Sequence, residues 1–508
     1  MLRYYHTYTG GSQRIARGVS GTYLWFTDRD GYPAFRVDGS YVRARAHIYA
    51  RKGPGNVPED ELEWEKVDTI NFRDEQNESA PDFYPLYAGP EPNTYYVSAR
   101  PEGADTSGIY LYDFIARKYL KTLATEPGID IQHMYVDGRT REFLGVTIHA
   151  DRRIIRLADP KLQAHFNALD KYFGEADVYL DGYDSTMENW LVYAVGPRDR
   201  GNWHVYRLKD RYVREVAHYR PAIDLKRLGT TRVVRYQARD GLEIMGYLTT
   251  PPMVAKGGKP PLIMLPHGGP EVRTHYQFDG LVQLLASRGY QVFQPNFRGS
   301  SGFGKRFADA GKRQWGGAMQ DDLTDALAFL VESGRAARDQ ACILGASYGG
   351  YAALAGATLT PDLYRCAVSL AGISDLTKHL RADKRAMRGN SEGWEYVKRQ
   401  IGDPDDDKAM LEARSPARLA AAVKIPVLLI HGERDARVLI EQSELMEKAL
   451  RKAGKDLRLL RLEESGHAFD DDEQKVAYRA ILEFLDEHLP TGIAAPPASP
   501  EPPKEAAK

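Results

Sequence analysis

Cysteine is nearly absent: the 508 residues contain two, Cys342 and Cys366. Two cysteines make no disulfide framework and no four-thiolate zinc site. Both lie in short apolar runs, "ACILG" and "CAVSL", that read as buried strands, so inert core thiols are expected. Long apolar stretches are also missing. No window approaches the roughly 20 residues of a membrane-spanning helix, and "MLRYYHTYTGGSQRIARG" has no signal-peptide core. Taken as written the chain is expected in the cytoplasm, away from membranes; a periplasmic or secreted location stays open if the sequence starts short of its natural beginning. Charge of one sign is lacking as well. Lys and Arg number 69 against 70 Asp and Glu, a net charge of −1, which gives no support to a polyanion-binding surface and excludes nucleic acid as the expected partner.

What is present is material for a large core: 43% apolar and 27% charged residues, the mixture of a globular protein. The length exceeds one ordinary domain of about 100 to 200 residues, so two folded domains are expected. Up to about Arg220 the sequence is rich in Tyr, Val, Ile and Thr in short alternating segments parted by turn residues, a β pattern. "NTYYVSARPEGADTSGIYLYDFIARKYLKTLAT" reads as a three-strand meander. Similar units recur around "GTYLWFTDRDGYPAFRVDG", "QHMYVDGRTREFLGVTIHADRRIIRLA" and "NWLVYAVGPRDRGNWHVYRLKDRYVREVAHY". Their spacing, roughly 45 to 50 residues, is that of propeller blades. About four such units fit, few for a propeller, and an irregular β-sandwich is the alternative.

From "RVVRYQARDGLEIMGYLTTPP" onward apolar strand-like runs ("LIMLP", "YQVFQ", "ACILG", "CAVSLAG", "IPVLLIHG", "LRLLRL") alternate with helical patterns. Leu323, Leu327, Leu330 and Val331 form one core-facing helical stripe. Strand–helix alternation predicts a mostly parallel, doubly wound sheet covered on both faces. The charge-rich stretch Lys378 to Ala417 is expected to form helices over the sheet's carboxyl end. After Leu489, "PTGIAAPPASPEPPKEAAK" is too rich in Pro, Ala and charge to pack. The expected domains are a β-propeller-like unit over 1–222, incomplete in appearance, an α/β unit over 223–490, and a disordered tail over 491–508.

The chemistry gathers at strand ends. In Gly345-Ala346-Ser347-Tyr348-Gly349-Gly350 a strand runs straight into a helix, which would push the Ser347 hydroxyl above the sheet at a helix N-terminus. A serine hydroxyl needs a base, and the base an orienting carboxylate. Asp435 follows the strand "IPVLLIHG" and His467 follows "LRLLRL", giving the chain order Ser, Asp, His. Glu433 is a rival acid and His431 a rival base, but His467 lies after the last strand beside Gly466. An oxyanion formed on attack needs preorganised donors. The backbone N–H of Tyr348 is one, and the glycine loop "PHGGPE" offers another, with Gly269 the choice. His267, Glu271 and His275 invite a zinc reading, but Gly268-Gly269-Pro270 prevents the helix that would align them. Neither a metal nor a cofactor is called for.

"ARDGLEIMGYL", "HGGP", "PNFRGSSGFGKRF", "GASYGGYAAL", "IGDP", "PVLLIHGERD" and "SGHAF", in that order, resemble the prolyl oligopeptidase family of serine peptidases, and most its acylaminoacyl-peptidase branch. The likeness covers about Val233 to Leu489. It implies an α/β-hydrolase domain that cleaves short peptides through an acyl-enzyme, with Ser347 as nucleophile, His467 as base and then acid, and Asp435 holding the imidazole. It also implies a seven-bladed propeller, of which only about four blades are visible here. Several members have an oxyanion-loop tyrosine where this sequence has His267, which favours a backbone donor. No clear pair of glutamates of the kind dipeptidyl peptidases use is found. Arg298 would lie near the site, although a loop-structuring role suits it equally. Peptide substrates follow from the resemblance; self-association is left open. A carboxylesterase of the same fold, and a non-catalytic scaffold binding a partner through its β part, are the competing readings.

Overall fold

The computed structural model describes residues 2–5, 11–28, 30–40, 45–71, 83–91, 93–138, 140–199, 201–219, 223–254, 258–387 and 392–493. The expected tail lies outside the described residues from 494 onward, and the expected boundary at 222 falls on residues 220–222, also outside them.

The first part of the chain forms successive antiparallel meanders. Strands Thr22–Thr27, Pro33–Ser40, Arg45–Lys52 and Glu63–Asn71 make one sheet, and Phe83–Ala88, Thr94–Ala99, Gly108–Asp113 and Lys118–Ala124 the next. His133–Val136, Phe143–His149 and Arg153–Leu157 form a third, and Asp177–Tyr183, Asn189–Val195, Asn202–Arg207 and Tyr212–His218 a fourth. Leu2–Tyr5 pairs with Ser12–Ala16 in a separate ribbon. Side chains alternate across each strand, so one sheet serves two neighbours. Tyr95 and Val97 pack against Phe35, Val37 and Ile48 of the first sheet, whereas Tyr96, between them, packs against Met134 and Val146 of the third. Ile155 and Leu157 then face Val178 and Val192 of the fourth. This sheet-upon-sheet stacking is propeller-like, not a two-sheet sandwich. An all-β segment was expected here, yet helix Pro160–Phe173 joins the third and fourth sheets. Asp159 caps it by accepting from the N–H groups of Lys161 and Leu162, Pro160 occupies its first turn, and Phe166 and Leu169 enter the core.

The second part is built on one eight-stranded sheet: β1 (Thr230–Gln237), β2 (Glu243–Thr250), β3 (Leu262–Met264), β4 (Gln291–Asn296), β5 (Ala341–Ala346), β6 (Cys366–Leu370), β7 (Val427–Gly432) and β8 (Leu457–Leu462). Their spatial order is β1-β2-β4-β3-β5-β6-β7-β8. β1 and β2 pair antiparallel, β2 is antiparallel to β4, and all later pairs are parallel. The strands are apolar on both faces because both are covered. Met264, Ile343, Ala367 and Leu429 point to one side, toward helices α2 (Ala318–Glu332), α3 (Tyr348–Leu359) and α7 (Glu441–Lys452). Ile263, Leu344, Val368 and Ile430 point to the other, toward α1 (Gly280–Ser287) and α8 (Asp471–His488). Between β6 and β7 lie α4 (Leu376–Ala386), α5 (Glu392–Ile401) and α6 (Lys408–Ala413), the helices expected from the charge-rich interruption.

A second expectation is corrected. Cys342 and Cys366 are fully buried, as a core position requires, but they are joined in a disulfide. They are register partners on adjacent parallel strands, with Cα atoms 4.8 Å apart and side chains on the same face. That separation is within the range a disulfide spans.

Candidate active site

Between β5 and α3 stands a single residue, Ser347, with φ at 57°, in the left-handed region that a side chain rarely adopts. Tight packing fixes this turn. A Cβ on Gly345 would come within 2.4 Å of the Gly349 backbone, and one on Gly349 within 2.3 Å of the Pro266 carbonyl oxygen. Ser347 donates its N–H to the Leu370 carbonyl at the end of β6 (2.9 Å), while its own carbonyl accepts from the Tyr351 N–H (3.0 Å). The side chain therefore stands at the head of α3, over the carboxyl ends of the central strands.

His467, in the loop after β8, places Nε2 3.1 Å from Ser347 Oγ. Its Nδ1 lies 2.7 Å from Oδ2 of Asp435, in the loop after β7. The structure thus brings together the three residues expected from separate strand ends. Asp435 is 4% exposed and accepts from the N–H groups of Arg437 (2.8 Å) and Val438 (2.9 Å). Burial alone would raise its pKa. The hydrogen-bonding His431 and His467 rings, with those two N–H groups, outweigh burial and hold the carboxyl well below the usual carboxylate range.

The rivals have other partners. His431 is buried, with Nε2 donating to the Val438 carbonyl (2.8 Å) and Nδ1 2.7 Å from Ser443 Oγ. Its Nε2 is also 3.4 Å from Asp435 Oδ2, so it stands behind the aspartate and away from the serine. Glu433 is exposed and faces Arg461 at 3.7 Å.

The glycine loop runs beside the serine: a Cβ on Gly268 would lie 3.4 Å from Ser347 Cβ. Gly269 has φ of 110° and precedes Pro270 through a cis peptide bond. The His267 ring stacks on Phe297 at 4.4 Å and sits 2.9 Å from Ser300 Oγ. Burial pushes its pKa down to about 4. It braces the loop, with both ring nitrogens engaged by the Gly268 carbonyl and Ser300 Oγ. Tyr348 opens α3, so its N–H precedes the first bond internal to the helix. Its ring is buried among Phe297, Trp315 and Tyr351. His267, Glu271 and His275 do not converge: the His275 ring faces His149 at 4.9 Å, across from the β sheets. Among the described residues no group of three His, Cys, Asp or Glu side chains is arranged to hold a metal ion, and no helix is long and apolar enough to cross a membrane.

Arg298 takes the loop-structuring role. It is 6% exposed, its N–H donates to Asp322 (2.9 Å), and its guanidinium is divided between Asp322 (2.7 Å) and Asp240 (2.6 Å). The pair ties the loop after β4 to α2 and to the β1–β2 turn.

Comparison with known proteins agrees with this geometry. The model of the prolyl oligopeptidase family matches residues 276–491. The dipeptidyl aminopeptidase BIII of Pseudoxanthomonas mexicana is 32% identical over 429 residues, which cover 83% of this chain and 60% of that protein, so the chain spans about three fifths of that relative's length. Among solved structures, a Mycobacterium tuberculosis puromycin-hydrolyzing peptidase superposes with a TM-score of 0.69 at 20% identity, over 95% of this chain and 72% of that one. The Pyrococcus horikoshii acylaminoacyl peptidase does so with a TM-score of 0.67 at 22% identity, over 90% and 70%. These last likenesses are of fold. Residues 276–491, which carry Ser347, Asp435 and His467, thus match the prolyl oligopeptidase family, and the fold is shared over nearly the whole chain.

Proposed function

We propose that the protein hydrolyses short peptides or acyl-peptides through an acyl-enzyme on Ser347, with residues 223–490 carrying the chemistry and 1–222 standing over it. The observation that carries this reading is the continuous relay from Ser347 Oγ through His467 to Asp435, at 3.1 and 2.7 Å. In it, His467 Nε2 takes the hydroxyl proton as Oγ attacks the scissile carbonyl. Asp435, kept ionised, holds Nδ1–H and so presents the basic Nε2 to the serine. The N–H groups of Tyr348 and Gly269 face the oxygen on which negative charge develops; one such donor is worth roughly 100-fold to 1000-fold in rate. His467 then returns the proton to the leaving amine, and water repeats the sequence to release the acid.

The test is side-by-side turnover of peptide amides, N-acylated peptides and short-chain esters, with Ser347→Ala as control. Amide cleavage lost in the variant supports the reading. Ester turnover without amide cleavage would replace it with a carboxylesterase, and no turnover of any substrate with the carboxylesterase's rival, a binding scaffold.

A further inference from the structure

Behind Asp435, on the side away from Ser347, lies a buried polar group to which the serine chemistry assigns no task. Val427 and Leu429 of β7 point toward α7, and the alternation of the strand sends His431 the same way. There the ring meets Ser443, in the first turn of α7, and the turn that carries Asp435. His431 and Ser443 are 0% and 2% exposed. An apolar residue would fill such a place with no polar atom to satisfy, whereas a buried imidazole needs a partner for each ring nitrogen. Both nitrogens have one.

Those partners fix the ring. A carbonyl can only accept, so the 2.8 Å contact with the Val438 carbonyl puts a proton on Nε2. In the neutral ring Nδ1 is then the acceptor, and Ser443 Oγ, 2.7 Å away, is its donor. The same Nε2–H lies 3.4 Å from Asp435 Oδ2. Val438 holds the aspartate from its other end, since its N–H donates to Oδ1 (2.9 Å), as does that of Arg437 (2.8 Å). Asp435 is thus held at both oxygens: Oδ1 by two backbone N–H groups, Oδ2 by His467 Nδ1 at 2.7 Å and, behind it, by His431. Remove the His431 ring, and the Val438 carbonyl loses its side-chain donor while the turn under the carboxylate loses this tie to β7 and α7.

We propose that His431, pinned by Ser443, is a positioning residue for the reaction: acting through Asp435, it keeps the carboxylate aimed at His467 and so keeps the basic nitrogen of His467 turned to Ser347. The proposal rests on the reading of Ser347 as a nucleophile activated by that relay. The experiment measures kcat and KM for a peptide amide, and the rate at which a fluorophosphonate labels Ser347, in wild type, His431→Leu, His431→Gln and Ser443→Ala, each with and without Asp435→Asn. In His431→Leu, kcat and the labelling rate should fall roughly tenfold or more with KM unchanged, about the effect of one hydrogen bond to a charged group. His431→Gln, whose amide N–H can reach the Val438 carbonyl, should recover most of that loss, and Ser443→Ala should show a smaller loss in the same direction. On the Asp435→Asn background each change should alter the rates by less than about twofold, because a residue that acts through Asp435 has no carboxylate left to aim. Thermal melting of each variant separates these effects from loss of fold. A folded His431→Leu with unchanged kcat, a glutamine variant no better than the leucine one, or losses that multiply in full on Asp435→Asn would overturn the proposal. Where the leucine variant does not fold, Ser443→Ala on the two backgrounds makes the same comparison. Labelling that depends on His431 in a protein that cleaves no amide would leave the positioning role standing while the peptidase reading fails; amide turnover indifferent to His431 would do the reverse.

Discussion

Ser347 holds a backbone conformation that few side chains adopt, and what it gains is a half-buried hydroxyl at a helix head within reach of His467. Asp435 completes the set at a distance, by fixing which ring nitrogen carries the proton. Asp435→Asn should leave the geometry in place but favour the wrong imidazole tautomer, lowering kcat roughly 10⁴-fold, as measured by steady-state peptide turnover. The same carboxyl sets a pH signature. Its folded pKa is depressed, so its stabilising contribution is fully present above the unfolded value of about 3.9 and is lost as pH falls below that. Urea unfolding should therefore show a constant stability difference between wild type and Asp435→Asn from pH 5 to 8, and a shrinking one below about pH 4. These residues were legible in the sequence because each follows an apolar run that can only be a buried strand. The position of His431 was not: only the fold shows it behind Asp435, bonded to Val438 and Ser443.

At the scale of elements, the turn from β5 to α3 depends on backbones passing with no room for a methyl group. Gly349→Ala would set a Cβ 2.3 Å from the Pro266 carbonyl oxygen. It should cost about 1 to 3 kcal/mol, as overpacking does, and should reduce turnover further by displacing Ser347 from His467. Urea midpoints and activity on one preparation check both effects. The disulfide between β5 and β6 is a second element-scale feature. Under denaturing conditions neither cysteine should alkylate until a reductant is added, after which both should. Closing a loop with a sequence separation of 24 stabilises by about 3 kcal/mol in the chain-entropy account, and replacing both cysteines with Ala should lower Tm accordingly. The pairing was hidden in the sequence because spacing does not give the register of parallel strands, and register alone makes Cys342 and Cys366 neighbours. Helix Pro160–Phe173 was legible in principle, since Asp159-Pro160 is a helix-start signature and Gly174 a stop. The surrounding strand pattern masked it.

At the scale of the whole molecule, the two parts meet through backbone groups more than through apolar surface. Lys305 donates its N–H to the Asp105 carbonyl (2.8 Å), Asp130 accepts from the Gly304 N–H (3.2 Å), Arg273 donates to the His149 carbonyl (2.8 Å), and Gln283 donates to the Pro197 carbonyl (2.7 Å). Asp130 also accepts from Arg100 (3.1 Å) and the Ser107 N–H (2.7 Å), which makes it the knot of this seam. Asp130→Ala should cost about 3 kcal/mol through the stranded donors, and differential calorimetry should show the two parts unfolding in separate steps. The division into a β part and an α/β part was readable from the change of hydrophobic rhythm near residue 220. The seam was not, because these contacts join residues 86 or more positions apart whose types carry no pattern. The central claim, that Ser347 is an activated nucleophile, is tested most directly by treating the folded protein with a fluorophosphonate and mapping the adduct by peptide mass spectrometry. A single adduct on Ser347, lost on heat denaturation and in His467→Ala, is the predicted result. Folded protein that takes up no label at Ser347, or labels equally well without His467, would contradict it.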